Sequence, residues 1–148
     1  MTTGTEIRIE RVLKATIGKV YDAWTQVDLL AQWYCPNPAL DLKVDADVRV
    51  GGDYVVVMGP YVVRGTYLEV EPPTRLAFTW KWDEDDGDPT EVRVELTEVD
   101  DGTRMLLTHT GFADAEDATR HQEGWGPELD RLAALLNPPQ PDPTTDRA

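Results

Sequence analysis

Apolar residues at alternate positions mark most of the chain as β. Ile7 and Ile9 alternate with Arg8 and Glu10, and Val12 and Leu13 follow one step out of phase, so residues 5–14 read as a half-buried strand. Further strands follow at 41–45, 54–58, 62–70, 76–82, 92–96 and 105–109. The clearest is the fifth, where Leu76, Phe78, Trp80 and Trp82 are spaced by two and so share one face. Between the strands stand turn formers: Gly51-Gly52, Glu71-Pro72-Pro73-Thr74, an acidic tip at 83–88, and Asp100-Asp101-Gly102, which reads as a hairpin turn. Seven strands joined mainly by short turns are antiparallel.

Two stretches change period. After the first strand, Val20, Ala23 and Trp24 fall at i, i+3, i+4, a short amphipathic helix, and a second helical turn follows at Asp28–Tyr34, with Asp28 as its expected N-cap and Pro36 and Pro38 as its stop. After Gly111, Trp125, Leu129, Leu132 and Leu136 step by four, three and four, with His121 one turn earlier on the same stripe. A helix over 121–136 would be about 24 Å long. The pattern therefore predicts an α+β domain with a seven-stranded antiparallel sheet, two short helices after strand 1 and a long C-terminal helix. Residues 5–137 form the expected domain, and the Pro-rich tail at 138–148, too polar to bury itself, is expected to be disordered.

Composition narrows the class. Of 148 residues, 41% are hydrophobic, and no apolar run reaches the ~20 residues of a membrane helix. The N-terminus lacks the basic and apolar regions of a signal peptide, so the expected location is cytoplasmic. One cysteine, Cys35, excludes an intramolecular disulfide. A formal net charge of −14 repels phosphate backbones and argues against nucleic acid as a partner.

Several local motifs then follow one another in order: Ala15 through Trp24 with Thr25; Gln32-Trp33-Tyr34-Cys35-Pro36; Gly51-Gly52-Asp53-Tyr54; Gly65-Thr66-Tyr67 with Pro72-Pro73-Thr74-Arg75-Leu76; Gly102-Thr103-Arg104-Met105; Thr108-His109-x-Gly111-Phe112; and Gly124-Trp125. Across residues 5–137 this order resembles the SRPBCC, or START-like (birch-pollen-allergen-like), superfamily. Within it the chain is most similar to the branch named for the activator of a heat-shock chaperone ATPase. The branch usually carries Trp-Trp-Gly-Pro where this chain has Trp33-Tyr34-Cys35-Pro36. The resemblance implies a helix-grip fold, a curved seven-stranded antiparallel sheet wrapped around the long C-terminal helix, with an interior pocket. Superfamily functions range over small-molecule carriers, aromatic cyclases, oxygenase subunits and chaperone activators, and the fold does not choose among them.

The inward stripes name the residues expected to meet a ligand: Trp24 and Trp33 from the short helices; Tyr54, Val56, Met58, Phe78, Trp80, Val94, Leu107 and His109 from the strands; His121, Trp125 and Leu129 from the last helix. Large rings converging from both layers leave either a cleft for a small, largely apolar molecule or a closed core. Ligand binding is the reading carried forward. A protein-interaction role resembling a chaperone activator, with a protein partner or a second copy of the chain, is the first alternative. A cyclase- or hydrolase-like enzyme, with His109 as base and Tyr54 or Tyr67 as proton donor, is the second. The only two histidines, His109 and His121, serve equally as satisfied structural groups. No metal-ligand spacing accompanies them, and no cofactor is expected. The acidic tip fails as a calcium loop: aligning Gly87 with the sixth position puts Trp82 first and Arg93 twelfth.

Overall fold

The computed structural model describes residues 6–35, 39–84 and 88–136. Seven strands, β1 (Glu6–Leu13), β2 (Leu42–Ala46), β3 (Asp53–Met58), β4 (Tyr61–Glu71), β5 (Arg75–Trp82), β6 (Thr90–Val99) and β7 (Gly102–Thr110), form one sheet in the order β1-β7-β6-β5-β4-β3-β2. Every pairing is antiparallel. Helices α1 (Ile17–Thr25) and α2 (Val27–Trp33) connect β1 to β2, and α3 (Ala115–Leu136) closes the chain. The helices pack on one another, and α3 also packs against β1. The architecture is the helix-grip arrangement expected from the sequence.

Alternation explains which face is covered. Tyr54, Val56 and Met58, then Leu76, Phe78 and Trp80, then Val92, Val94 and Leu96, then Met105, Leu107 and His109 are all buried. They face Val20, Trp24, Leu30, Trp33, Trp125, Leu129 and Leu132 from the helices in one continuous core. Curvature has a local source. Tyr67 pairs with Phe78 but Glu69 pairs with Ala77, so Leu68 is an extra residue in β4, and such a bulge bends its strand and increases its twist. At the β6–β7 hairpin Gly102 adopts φ 149° and its α-carbon lies against the Leu13 carbonyl, where a side chain would collide.

Two details of the helices differ from the sequence reading. α2 begins at Val27 with Gln26 at the N-cap, whose side chain makes no cap bond, and Asp28 lies inside the first turn, where an acidic residue suits the helix dipole. α3 begins at Ala115, six residues before His121, where the sequence pattern starts the helix, because Asp114 caps it by accepting the Asp117 N–H at 2.8 Å. The tail at 138–148 lies outside the described residues.

Candidate functional site

A cavity of about 870 Å³ opens between the N-terminal half of α3, the β3–β4 hairpin and the C-terminal end of β5. Met58 and Tyr61 flank it at the hairpin, Trp80, Trp82 and Glu84 come from the end of β5, and Cys35 and Leu40 close another side. From the helix come Asp117, His121, Gly124 and Glu128, which step by four, three and four along one face, with Arg120 and Trp125 at its margins. α3 therefore carries two stripes. Ala118, Trp125, Leu129 and Leu132 are buried in the core, and the polar stripe beside them lines the cavity.

Of the residues expected to meet a ligand, Met58, Trp80, His121 and Trp125 line this space. Trp24, Trp33, Tyr54, Val56, Phe78, Val94, Leu107, His109 and Leu129 are buried in the core and are not among its lining residues. Trp125 does form a wall of the interior, but its ring partners are Trp80 at 5.3 Å, Trp24 at 6.2 Å, Tyr34 at 6.3 Å and His109 at 6.1 Å. Phe78, expected on the same inward face, has Trp24, Tyr54 and Tyr67 as its aromatic partners. Residues that periodicity did not mark, above all Glu84, Asp114, Asp117 and Glu128, complete the wall. Glu128 had a signal of its own: it falls on the inner side of α3, one residue before Leu129.

Both histidines are fixed by tryptophans. The Trp125 indole N–H donates to His109 Nδ1 at 3.0 Å, and an indole nitrogen can only donate, so the proton of His109 sits on Nε2. Nε2 then donates to Thr90 Oγ1 at 2.6 Å, and that hydroxyl donates to the Trp80 carbonyl at 3.0 Å. Burial, with His121 nearby, lowers the His109 pKa to about 3. At the cavity wall the Trp82 indole donates to His121 Nε2 at 2.9 Å, which leaves the Nδ1–H to donate to the Asp117 carbonyl at 2.8 Å. Both rings thus accept an indole N–H at one nitrogen and are hydrogen-bonded at the other.

The unsatisfied groups lie elsewhere. Four of the five indole N–H groups have acceptors: Trp24 on Met105 Sδ, Trp33 on the Ala23 carbonyl, Trp82 on His121 and Trp125 on His109. The fifth, Trp80 Nε1, has none, and neither does Glu128 Oε2; among the described residues these are the two buried side-chain polar atoms left without a partner. Trp80 is 5% and Glu128 4% exposed, and both line the cavity. Burial pushes the Glu128 carboxyl well above the ordinary carboxylate range, and the Arg131 guanidinium offsets this only in part. Arg131 is itself engaged, donating to the carbonyls of Cys35 and Gln32, which ties α3 to the end of α2.

A family described as activator of Hsp90 ATPase homolog 1-like proteins matches residues 14–137. The chain belongs to that family. Solved structures agree. The chain is 30% identical to protein CV1439 from Chromobacterium violaceum, covering 91% of this chain and 99% of that one with a TM-score of 0.83. It is 31% identical to the AHSA1 protein SPO3351 from Silicibacter pomeroyi, covering 89% and 97% with a TM-score of 0.77. CalU16 from Micromonospora echinospora is 25% identical over 90% of this chain and 76% of its own, with a TM-score of 0.71. No curated protein matches the chain. In this AHSA1-like chain, the Tyr34-Cys35 pair that replaces the branch's usual Trp-Gly is buried. Tyr34 packs among Trp24, Trp33, Trp80 and Trp125, and Cys35 reaches the cavity wall. No helix among the described residues is long and apolar enough to cross a membrane.

Proposed function

We propose that this AHSA1-like domain holds a small, largely apolar molecule in the cavity between the sheet and α3. The observation that carries the reading is the pair of buried, unpartnered polar atoms, Trp80 Nε1 and Glu128 Oε2, on the cavity wall. Leaving such an atom unpaired costs about 1–3 kcal/mol, a loss that a bound molecule with the complementary group would recover. The volume also falls in the range of ligand pockets. A catalytic reading finds less support: His109, Tyr54 and Tyr67 are not among the lining residues, and His109 already uses both ring nitrogens. A docking face has the family's description behind it but no large exposed apolar patch among the described residues. The exposed large apolar side chains are four, Val12 on β1, Val50 in the β2–β3 loop, and Tyr61 and Leu68 on β4.

Gly124 offers a direct test. The close approach of helix to sheet that a glycine before Trp125 suggests is not what the backbone does, since a Cβ there would meet nothing within 4 Å. The position borders the cavity, so a longer side chain enters it without displacing the core. Titrated with the neutral fluorophore N-phenyl-1-naphthylamine, the wild type should show saturable one-to-one binding. Gly124→Leu should fold with at least wild-type stability and bind at least tenfold more weakly. Equal binding by both proteins, or none by the wild type, would contradict the proposal.

A further inference from the structure

The charge around the cavity goes beyond a generic apolar site. Glu84, Asp114, Asp117 and Glu128 contribute four carboxylic groups to its lining, against one guanidinium, Arg120. That guanidinium is engaged, with Nη2 donating to Asp117 Oδ1 at 2.9 Å. Four aromatic rings, Tyr61, Trp80, Trp82 and Trp125, also line it. Ring faces attract cations through their quadrupoles, most strongly where water is excluded. A formal net charge of −14 on the whole chain adds a long-range field of the same sense.

Acidic side chains at a cavity mouth would by themselves mean little. What distinguishes this cavity is Glu128, which is deeply buried and has an oxygen without a partner. Resting on the reading of the cavity as a ligand site, we infer that its ligand is an organic cation: an apolar, ring-bearing body whose ammonium group meets the Glu128 carboxylate between the tryptophan walls. The unpartnered Trp80 N–H asks for an acceptor on the same molecule, an ether, hydroxyl or carbonyl oxygen. Carboxylate-bearing lipids of the same size would be repelled.

The groups around Glu128 make one proton transfer expected on binding. Arg131, its neighbour on α3, remains on the Cys35 and Gln32 carbonyls. Tyr34, after α2, and Tyr54, on β3, face it as hydroxyls whose own ionisation burial opposes. His121 has its Nδ1–H on the Asp117 carbonyl and its Nε2 lone pair on Trp82. Glu84, Asp114 and Asp117 lie toward the β5 end and the start of α3. In the empty cavity burial favours the protonated acid at Glu128. An arriving cation favours the carboxylate, so the Glu128 proton leaves to solvent as the ion pair forms.

The test uses the intact protein and three probes sharing one ring system and one ether oxygen: 2-(2-naphthyloxy)ethyltrimethylammonium, 2-(2-naphthyloxy)ethanol and 2-naphthyloxyacetate. Each competes against N-phenyl-1-naphthylamine. The cation should bind at least tenfold more tightly than the alcohol, and the acetate most weakly. Calorimetry in buffers of different ionisation heat should show up to one proton released per cation bound, although the quaternary nitrogen carries none to lose. In Glu128→Gln the preference for the cation should fall at least fivefold and the proton release should vanish. If that variant does not fold, the wild-type affinity order and proton release decide. An alcohol binding as tightly as the cation, or an acetate binding best, would overturn the inference while leaving the cavity reading intact. Failure of N-phenyl-1-naphthylamine itself would overturn both.

Discussion

Protonating His109 would set two N–H groups against each other, because the Trp125 indole already donates to Nδ1 and Thr90 holds the proton side of the ring. Its folded pKa of about 3 lies below the ~6.5 of an unfolded chain. Between those values the unfolded chain takes up a proton that the folded one refuses. The stability contributed by the neutral ring is complete above about pH 6.5 and is lost as the pH falls toward 3, at up to about 1.4 kcal/mol per pH unit. Gln at this position keeps a donor and an acceptor but cannot titrate. Urea midpoints for His109→Gln should therefore decline less steeply than those of the wild type between pH 7 and 4. Parallel pH profiles would mean that His109 is accessible to protons in the native state. At this scale the sequence was informative only in part. It placed both histidines on apolar stripes but not the indole opposite each nitrogen, since those partners are 16 and 39 residues away.

At the scale of the element, α3 shows what periodicity can and cannot reveal. Its C-terminal half was legible, because Trp125, Leu129 and Leu132 repeat at helical spacing and are all buried. Its first turns were not, because between 115 and 120 only Ala118 reaches the core, and the evidence for helix there is the Asp114 cap. Nor did the apolar stripe disclose the polar one beside it. That face acquires meaning only when the β3–β4 hairpin and the end of β5 are brought opposite. Pro127 lies inside the helix and has no N–H to offer the carbonyl of Glu123, so the cavity-lining stretch of α3 is held by fewer backbone bonds than the rest. Trp125 joins the two stripes. Trp125→Ala should cost roughly 3 kcal/mol, the low end of the 3–5 kcal/mol usual for a truncated buried aromatic, because part of the ring already borders open space. Binding of N-phenyl-1-naphthylamine should weaken more than stability does. Urea melts with and without the fluorophore check both, and a loss below about 1 kcal/mol would mean that the ring is not packed as described.

For the whole molecule, alternation and turn chemistry were enough to specify seven antiparallel strands and the last helix, and the family resemblance supplied the curved sheet that wraps it. They also named a buried interior whose every expected member is either in the core or on the cavity wall. What they could not separate was core from cavity. Trp24 and Trp80 look alike along the chain, and only the three-dimensional packing gives one indole a sulfur acceptor and leaves the other without a partner. The proposed ligand site depends on that difference, since a bound molecule would pair the Trp80 donor and the Glu128 acid that the chain leaves unpaired on the cavity wall. Native mass spectrometry of the protein purified from its own host tests this most directly. A single small-molecule adduct is expected, released on unfolding and absent from Gly124→Leu. A bare chain mass, or a protein partner bound with no small molecule, would contradict the account.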